Sequence, residues 1–365
     1  VCSSDLGVLI THVAFQTGAV HDPVLGRIWG RFDLAVALFF ALSGFLLWRP
    51  HAAAARGLGA APTTGRYLLS RATRILPAYW VVVCIVLLLL PEAGGGWRLW
   101  LANLTLVQVF VPLSLTEGLT QMWSLSVEVA FYLLLPLFAA ALAGLRGERA
   151  RFRVPLLLAL SALSLVWAWL PVPTPDHINH DNWLPGYLPW FAAGMVLAEL
   201  VTGERTWVHR LAAHRVLMAV VAVAAFALST TALGGPEGLV KIDPWQYNGK
   251  ILLGALMSFA LLAPLVLAPR AEHRILASGP ALTVGRWSYG IFIWHLAVLS
   301  IVFPVFGLIP FQGDFWFVLT VTLVLSIAVA SVSYALVEEP VRREVRRRQS
   351  RVASTAERVA DSAAP

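Results

Sequence analysis

Apolar residues in this chain fall into long runs separated by short polar loops rich in arginine. A helix needs about 20 mostly apolar residues to cross about 30 Å of hydrocarbon. Ten runs approach that length, at 6–19 (short), 32–48, 75–90, 122–145, 154–170, 184–201, 216–233, 251–268, 289–309 and 315–337. Helices at these places predict an all-α polytopic membrane protein. The stretch 97–110 is apolar but interrupted by Asn103 and Gln108, so it is expected to lie at the interface or to re-enter the bilayer. The chain starts Val1-Cys2-Ser3-Ser4-Asp5, and the apolar run that follows is shorter than a full span. An incomplete first helix with a foreign start is expected, because a signal peptide would bring a basic segment and a small-residue cleavage site.

Composition agrees with this reading. AVILMFWYC residues make up 58% of the 365 and DEKR residues only 13%, against about 25% charged in soluble domains, and the mean hydropathy is +0.74. So few charges cannot cover a soluble body of this size, whereas lipid solvates apolar surface directly. Disorder and collagen-like repeats are excluded by the same figures. Two cysteines, Cys2 and Cys84, do not make a disulfide scaffold, and neither reads as a metal ligand. The net charge of +7 does not read as affinity for nucleic acid, because Lys and Arg alternate between the two sides of the predicted helices, 22 on one side and 5 on the other. That bias places basic loops in the cytoplasm, and ten spans with both termini cytoplasmic satisfy it. Residues 1–340 are expected to form one transmembrane domain and 341–365 an Arg-rich, disordered cytoplasmic tail. No separate soluble domain is expected.

Ionisable groups inside hydrocarbon are costly and must face protein or water. His12 stands within the first run, about 10 Å from the outer surface at 1.5 Å per residue. Its position allows a general base or a packing histidine. Ser124, Glu128 and Tyr132 are four apart, which puts a carboxylate between two hydroxyls on one helix face, as a reactive stripe or an interhelical hydrogen-bond cluster. Arg71 and Arg74 share a face at the cytoplasmic mouth of the third run, where they can chelate phosphate or carboxylate or anchor the helix to lipid phosphates. Ser288 and His295 are seven apart on one face, with His295 suited to substrate contact. Glu338, just before Pro340, is expected to pair with a cytoplasmic Arg. No GxGxxG opening a helix, Walker A loop, HExxH or GxSxG occurs, so transport driven by a P-loop engine is excluded.

Several runs in the same order resemble the membrane-bound acyltransferase family 3 of bacteria. They are Phe39-Phe40-Ala41-Leu42-Ser43-Gly44-Phe45-Leu46-Leu47, Arg71-Ala72-Thr73-Arg74-Ile75-Leu76-Pro77-Ala78-Tyr79-Trp80, and Trp123-Ser124-Leu125-Ser126-Val127-Glu128 with Phe131, Tyr132 and Pro136. Phe191-Ala192-Ala193-Gly194, Ser288-Tyr289-Gly290-Ile291-Phe292-Ile293-Trp294-His295 and Tyr334-Ala335-Leu336-Val337-Glu338-Glu339-Pro340 complete the set. The similarity covers about 6–340. It implies a ten-helix enzyme of the bacterial cytoplasmic membrane that moves an acyl group, often acetyl, from cytoplasmic acyl-CoA to a hydroxyl of a sugar, cell-envelope glycan or glycosylated metabolite. It further implies that His12 is the essential first-helix histidine and that Arg71 and Arg74 form the RxxR motif. An arginine is implied eleven residues before His12, where Val1 stands.

The expected mechanism follows from that resemblance. Acyl-CoA, a co-substrate and not a bound cofactor, docks its phosphates near Arg71 and Arg74, and His12 deprotonates the acceptor or carries the acyl group. Glu128 assists, while Ser43, Trp123, Ser124, Tyr132 and His295 orient the reactants. The alternative is a carrier for a lipid-linked sugar or small metabolite, although no internal repeat supports one. Trp183, Tyr187 and Trp190 in and after the fifth-to-sixth loop stack on sugar rings or serve as interfacial aromatics.

Overall fold

The structure, a computed structural model, describes residues 2–236, 242–269, 274, 276–345 and 347, with side chains from Asp5 onward. Val1, the Cys2 side chain, Lys241, Arg270 and residues 346 and 348–365 of the tail lie outside the described residues. Among the described residues no strand forms. The helices in chain order are α1 (Cys2–Gln16), α2 (Gly26–Arg31), α3 (Ala35–Ala55), α4 (Thr64–Leu89), α5 (Trp97–Leu104), α6 (Met122–Ala141) and α7 (Arg153–Ser164). They continue as α8 (Leu184–Thr202), α9 (Trp207–Ala213), α10 (Arg215–Ser229), α11 (Pro244–Val266), α12 (Gly279–Phe306) and α13 (Phe315–Ser333).

All ten predicted runs are helical, but they are not ten equal spans. Among the described residues, eight helices are long and apolar enough to cross a membrane, or nine if the bent pair α9–α10, which turns by 88°, counts as one. α1 has 15 residues, about 22 Å of helix, less than the hydrocarbon thickness. The 97–110 stretch gives the eight-residue α5, too short to cross. Its two polar interruptions are turned inward: Asn103 donates to the Leu99 and Ser114 carbonyls at 3.0 Å each, and Gln108 to the Met122 carbonyl at 3.1 Å.

Glycine sets the closest helix crossing. A Cβ on Gly44 of α3 would strike the Phe191 carbonyl of α8, and one on Gly194 would strike the Ala41 carbonyl, so the two backbones touch only because both positions lack side chains. Phe191 is then stacked between Phe40 and Phe131, with ring centroids at 4.4 and 4.1 Å, which ties α6 into the same core. Gly194→Ala is expected to force α3 and α8 apart and cost about 1–3 kcal/mol. A thermal melt of the lipid-reconstituted protein should show the loss, while Gly144→Ala, which meets no atom within 4 Å, leaves the melt in place.

α1 packs beside α12 and α13 in a smaller apolar cluster containing Leu9, Val13, Ile291, Leu299 and Val318. α13 runs into a π-turn at Tyr334–Glu338. Pro340 has no N–H, and its ring crowds the carbonyl four residues back, so the chain loosens and the Glu339 N–H reaches the Tyr334 carbonyl instead. The helix then resumes to Val345.

Candidate active site

Two polar rungs join α1 to α12. Asp5 and His12 are seven apart on α1, as Ser288 and His295 are on α12, and seven residues return a side chain to the same face. The Ser288 hydroxyl donates to Asp5 Oδ2, and His295 Nε2 lies 3.1 Å from His12 Nδ1. Both rungs run in the same order, so the helices are parallel and the rungs stand about 10 Å apart.

The tautomers follow from the donors. His295 Nδ1 lies 2.7 Å from the Phe292 carbonyl, which can only accept, so that nitrogen carries the proton. His295 Nε2 is then an acceptor, and His12 Nδ1–H donates to it. The lone pair of His12 is thereby on Nε2. His295 is fully buried and His12 half-buried, with their ring centroids 5.1 Å apart. An imidazole held in this way is able to take a proton from a hydroxyl or to attack an acyl carbon.

A second cluster joins α3 to α6. Ser43 Oγ and the Tyr132 hydroxyl both donate to Glu128 Oε1 at 2.5 Å, and Glu128 is buried. The i,i+4 partnership of Glu128 and Tyr132 is the one expected. Ser124 is not part of it, because its hydroxyl turns back to the Gln121 carbonyl at 3.1 Å, a bond open to serine in the first turn of a helix. Ser43 from α3 takes the place expected of Ser124. Trp123 is also apart, packed on Tyr187 with ring centroids at 5.1 Å.

Arg71 and Arg74, on the third turn of α4, stand within Coulombic reach of Glu128. The Tyr289 hydroxyl donates to the Ile75 carbonyl at 2.9 Å and sets α12 beside this turn. His295 lies six residues further along α12, about 9 Å of helix beyond Tyr289. Glu338, in the π-turn, faces Arg342 at 3.5 Å, the pairing expected for it. A cavity of about 170 Å³ lined by His51, Thr64 and Tyr67 lies at the same end of α4, and the Tyr67 hydroxyl reaches the Tyr132 carbonyl behind Glu128 at 3.2 Å.

A family model described as an acyltransferase domain matches residues 6–335. The chain belongs to acyltransferase family 3. Relatives in line with the family are the peptidoglycan O-acetyltransferase OatA of Listeria monocytogenes, 22% identical over 346 residues, which are 85% of this chain and 51% of that protein. The O-acetyltransferase OatA of Staphylococcus aureus is 25% identical over 233 residues, 62% of this chain and 37% of that protein. The exopolysaccharide production protein ExoZ of Rhizobium meliloti is 28% identical over 301 residues, 80% of this chain and 82% of that protein. The chain thus spans about half or less of the length of the two OatA proteins. No solved structure matches it.

Within this family 3 chain, three buried groups escape the sequence reading. Asp5 is one, although its spacing from His12 is a visible signal. Gln121 is another: its amide donates to the Ile293 carbonyl at 3.1 Å and ties α6 to the turn of α12 that carries His295. The third is Glu199, fully buried at the end of α8. It accepts from Trp48 Nε1 at 2.7 Å, from Arg153 Nε at 2.7 Å and from Arg56 Nη1 at 2.5 Å. An acid inside a predicted span was the signal for it, by the same rule that singles out Glu128.

Proposed function

We propose that this chain is a membrane O-acyltransferase that moves an acyl group, acetyl in the simplest case, from acyl-CoA to a hydroxyl of a sugar in a cell-envelope glycan or glycoside. The His12–His295 pair carries the reading, since it leaves a basic nitrogen of fixed tautomer inside a family 3 bundle. The two OatA relatives, both O-acetyltransferases, support acetyl as the group, and the peptidoglycan and exopolysaccharide roles of the Listeria OatA and of ExoZ support a glycan as the acceptor. The arginine-rich loops support a bacterial cytoplasmic membrane with both termini and the Arg71/Arg74 end facing the cytoplasm.

In this scheme the CoA phosphates lie against Arg71 and Arg74, and the acceptor hydroxyl comes to His12 Nε2 from the opposite end. As the hydroxyl oxygen bonds to the acyl carbon, its proton passes to Nε2 and the carbon–sulfur bond breaks. The same proton then leaves the imidazolium for the departing thiolate, which gives ester and free thiol with His12 restored. Glu128, held by Ser43 and Tyr132, places a carboxylate near the arginines.

Saturable binding of labelled acetyl-CoA to the full chain in nanodiscs tests the donor. Arg71→Ala/Arg74→Ala is expected to weaken it by at least about tenfold, since a hydrogen bond to a charged group contributes about 1.5–3 kcal/mol. No saturable binding by the intact protein would remove acyl-CoA from the scheme. Mass spectrometry of envelope glycans from a deletion strain, searched for a lost acyl mass, identifies the acceptor.

A further inference from the structure

A second cavity, of about 140 Å³, lies at the bundle end opposite Arg71 and Arg74, between the segments 108–115 and 177–182. Its polar wall is made by Gln108, Ser114, Asn179, Asn182 and His177, against aliphatic side chains such as Val109. Among the described residues that line it, none carries a fixed charge. Amides and a hydroxyl over an apolar floor suit a neutral ligand with many hydroxyls and apolar C–H faces, which is the chemistry of a sugar ring. The volume holds about four or five waters at about 30 Å³ each, so it seats one ring and not an oligosaccharide.

Three further observations mark this cavity as a built site. Gln108 is 1% exposed, yet its Oε1 has no hydrogen-bond partner. A buried amide oxygen left unpaired is costly, and a turn of the side chain toward the cavity would let a ligand hydroxyl satisfy it. Trp183 Nε1 donates to the Val109 carbonyl at 3.2 Å and its ring lies 5.1 Å from that of Phe110, so an aromatic plane fastens the two segments together beside the cavity. Gln108 bonds the Met122 carbonyl, and the neighbouring Gln121 bonds Ile293, two residues before His295. The cavity wall is therefore braced on the helix turn that holds the histidine pair.

We infer that this cavity is a subsite for one pyranose ring of the acceptor, an assignment that rests on the proposed glycan acyl transfer. It places one ring of the acceptor at this end of the bundle, on the wall braced through Gln121 to α12.

Saturation-transfer difference NMR on the full chain in nanodiscs, with methyl β-D-glucopyranoside as probe and cyclohexanol as its apolar counterpart, tests the assignment. The glucoside is expected to give saturable ring-proton signals that cyclohexanol does not displace. Asn179→Trp, which fills the cavity, and the separate Gln108→Leu/Asn182→Leu, which keeps its volume but removes two amides, should each cut the signal about tenfold. His12→Ala should leave it intact. Glucoside signals that survive both cavity variants, that never saturate, or that cyclohexanol displaces would overturn the subsite. Acetyl-CoA binding measured on the same samples separates the two readings: its loss with glucoside binding retained defeats acyl transfer alone, and the reverse defeats the subsite alone.

Discussion

His12→Ala is expected to lower acyl transfer about 10²- to 10⁴-fold, the range that a positioned general base contributes. Acetyl-CoA binding should stay at the parent level, because Arg71 and Arg74 stand on α4 while the His12 ring contacts His295 of α12. The partner behaves differently. His295 reaches no reactant in the scheme and acts by accepting the His12 Nδ1 proton, so His295→Phe removes one hydrogen bond and should lower turnover about two- to tenfold without changing acetyl-CoA affinity. Single-turnover transfer of labelled acetyl in nanodiscs measures both. Parent-like turnover by His12→Ala would take the imidazole out of the chemistry, and an equal loss in the two variants would make the pair, rather than His12 alone, the reacting unit.

The largest effect on stability is expected at Glu199. Its carboxylate holds two guanidiniums and an indole N–H, and Arg153, 2% exposed, also lies over the Trp48 ring at 5.2 Å. Glu199→Ala leaves buried positive charge without its counter-ion, at a cost of about 3–5 kcal/mol. Glu199→Gln keeps an acceptor for Trp48 and should fall between the two. Replacing the buried pair together, as Arg153→Met/Glu199→Leu, removes the more deeply buried of the two guanidiniums, leaves Arg56 nearer the surface, and should recover part of the loss, since a buried pair is often no more stable than apolar side chains of the same volume. Thermal melting in one lipid composition orders the four proteins. A Glu199→Ala melt no lower than that of Gly144→Ala would show that the network contributes nothing.

These two residues mark where the chain can be read in advance and where it cannot. Helix positions are legible because twenty apolar residues have one use in a bilayer, and Glu128 with Tyr132 is legible because four residues make one helical turn. Contacts that depend on helix packing have no such local trace. Ser43 reaches Glu128 across 85 positions and His295 reaches His12 across 283. Ser124 shows the converse, a correct spacing defeated by a competing backbone carbonyl. Counting charges by loop treats Arg56 and Arg153 as topology markers, although both are pinned to Glu199 inside the protein. Helical periodicity also does not report length or bend, which is why α1 and α10 differ from full spans.

The sequence distance between the two histidines has a consequence for biosynthesis. While the ribosome is still making the middle of the chain, α1 is already in the insertion machinery with Asp5 and His12 facing no partner, and it must be sheltered there or by neighbouring helices until α12 emerges. Every nascent intermediate before that moment lacks the paired imidazoles, so translation cut short upstream of position 295 yields a chain in which His12 never gains its partner.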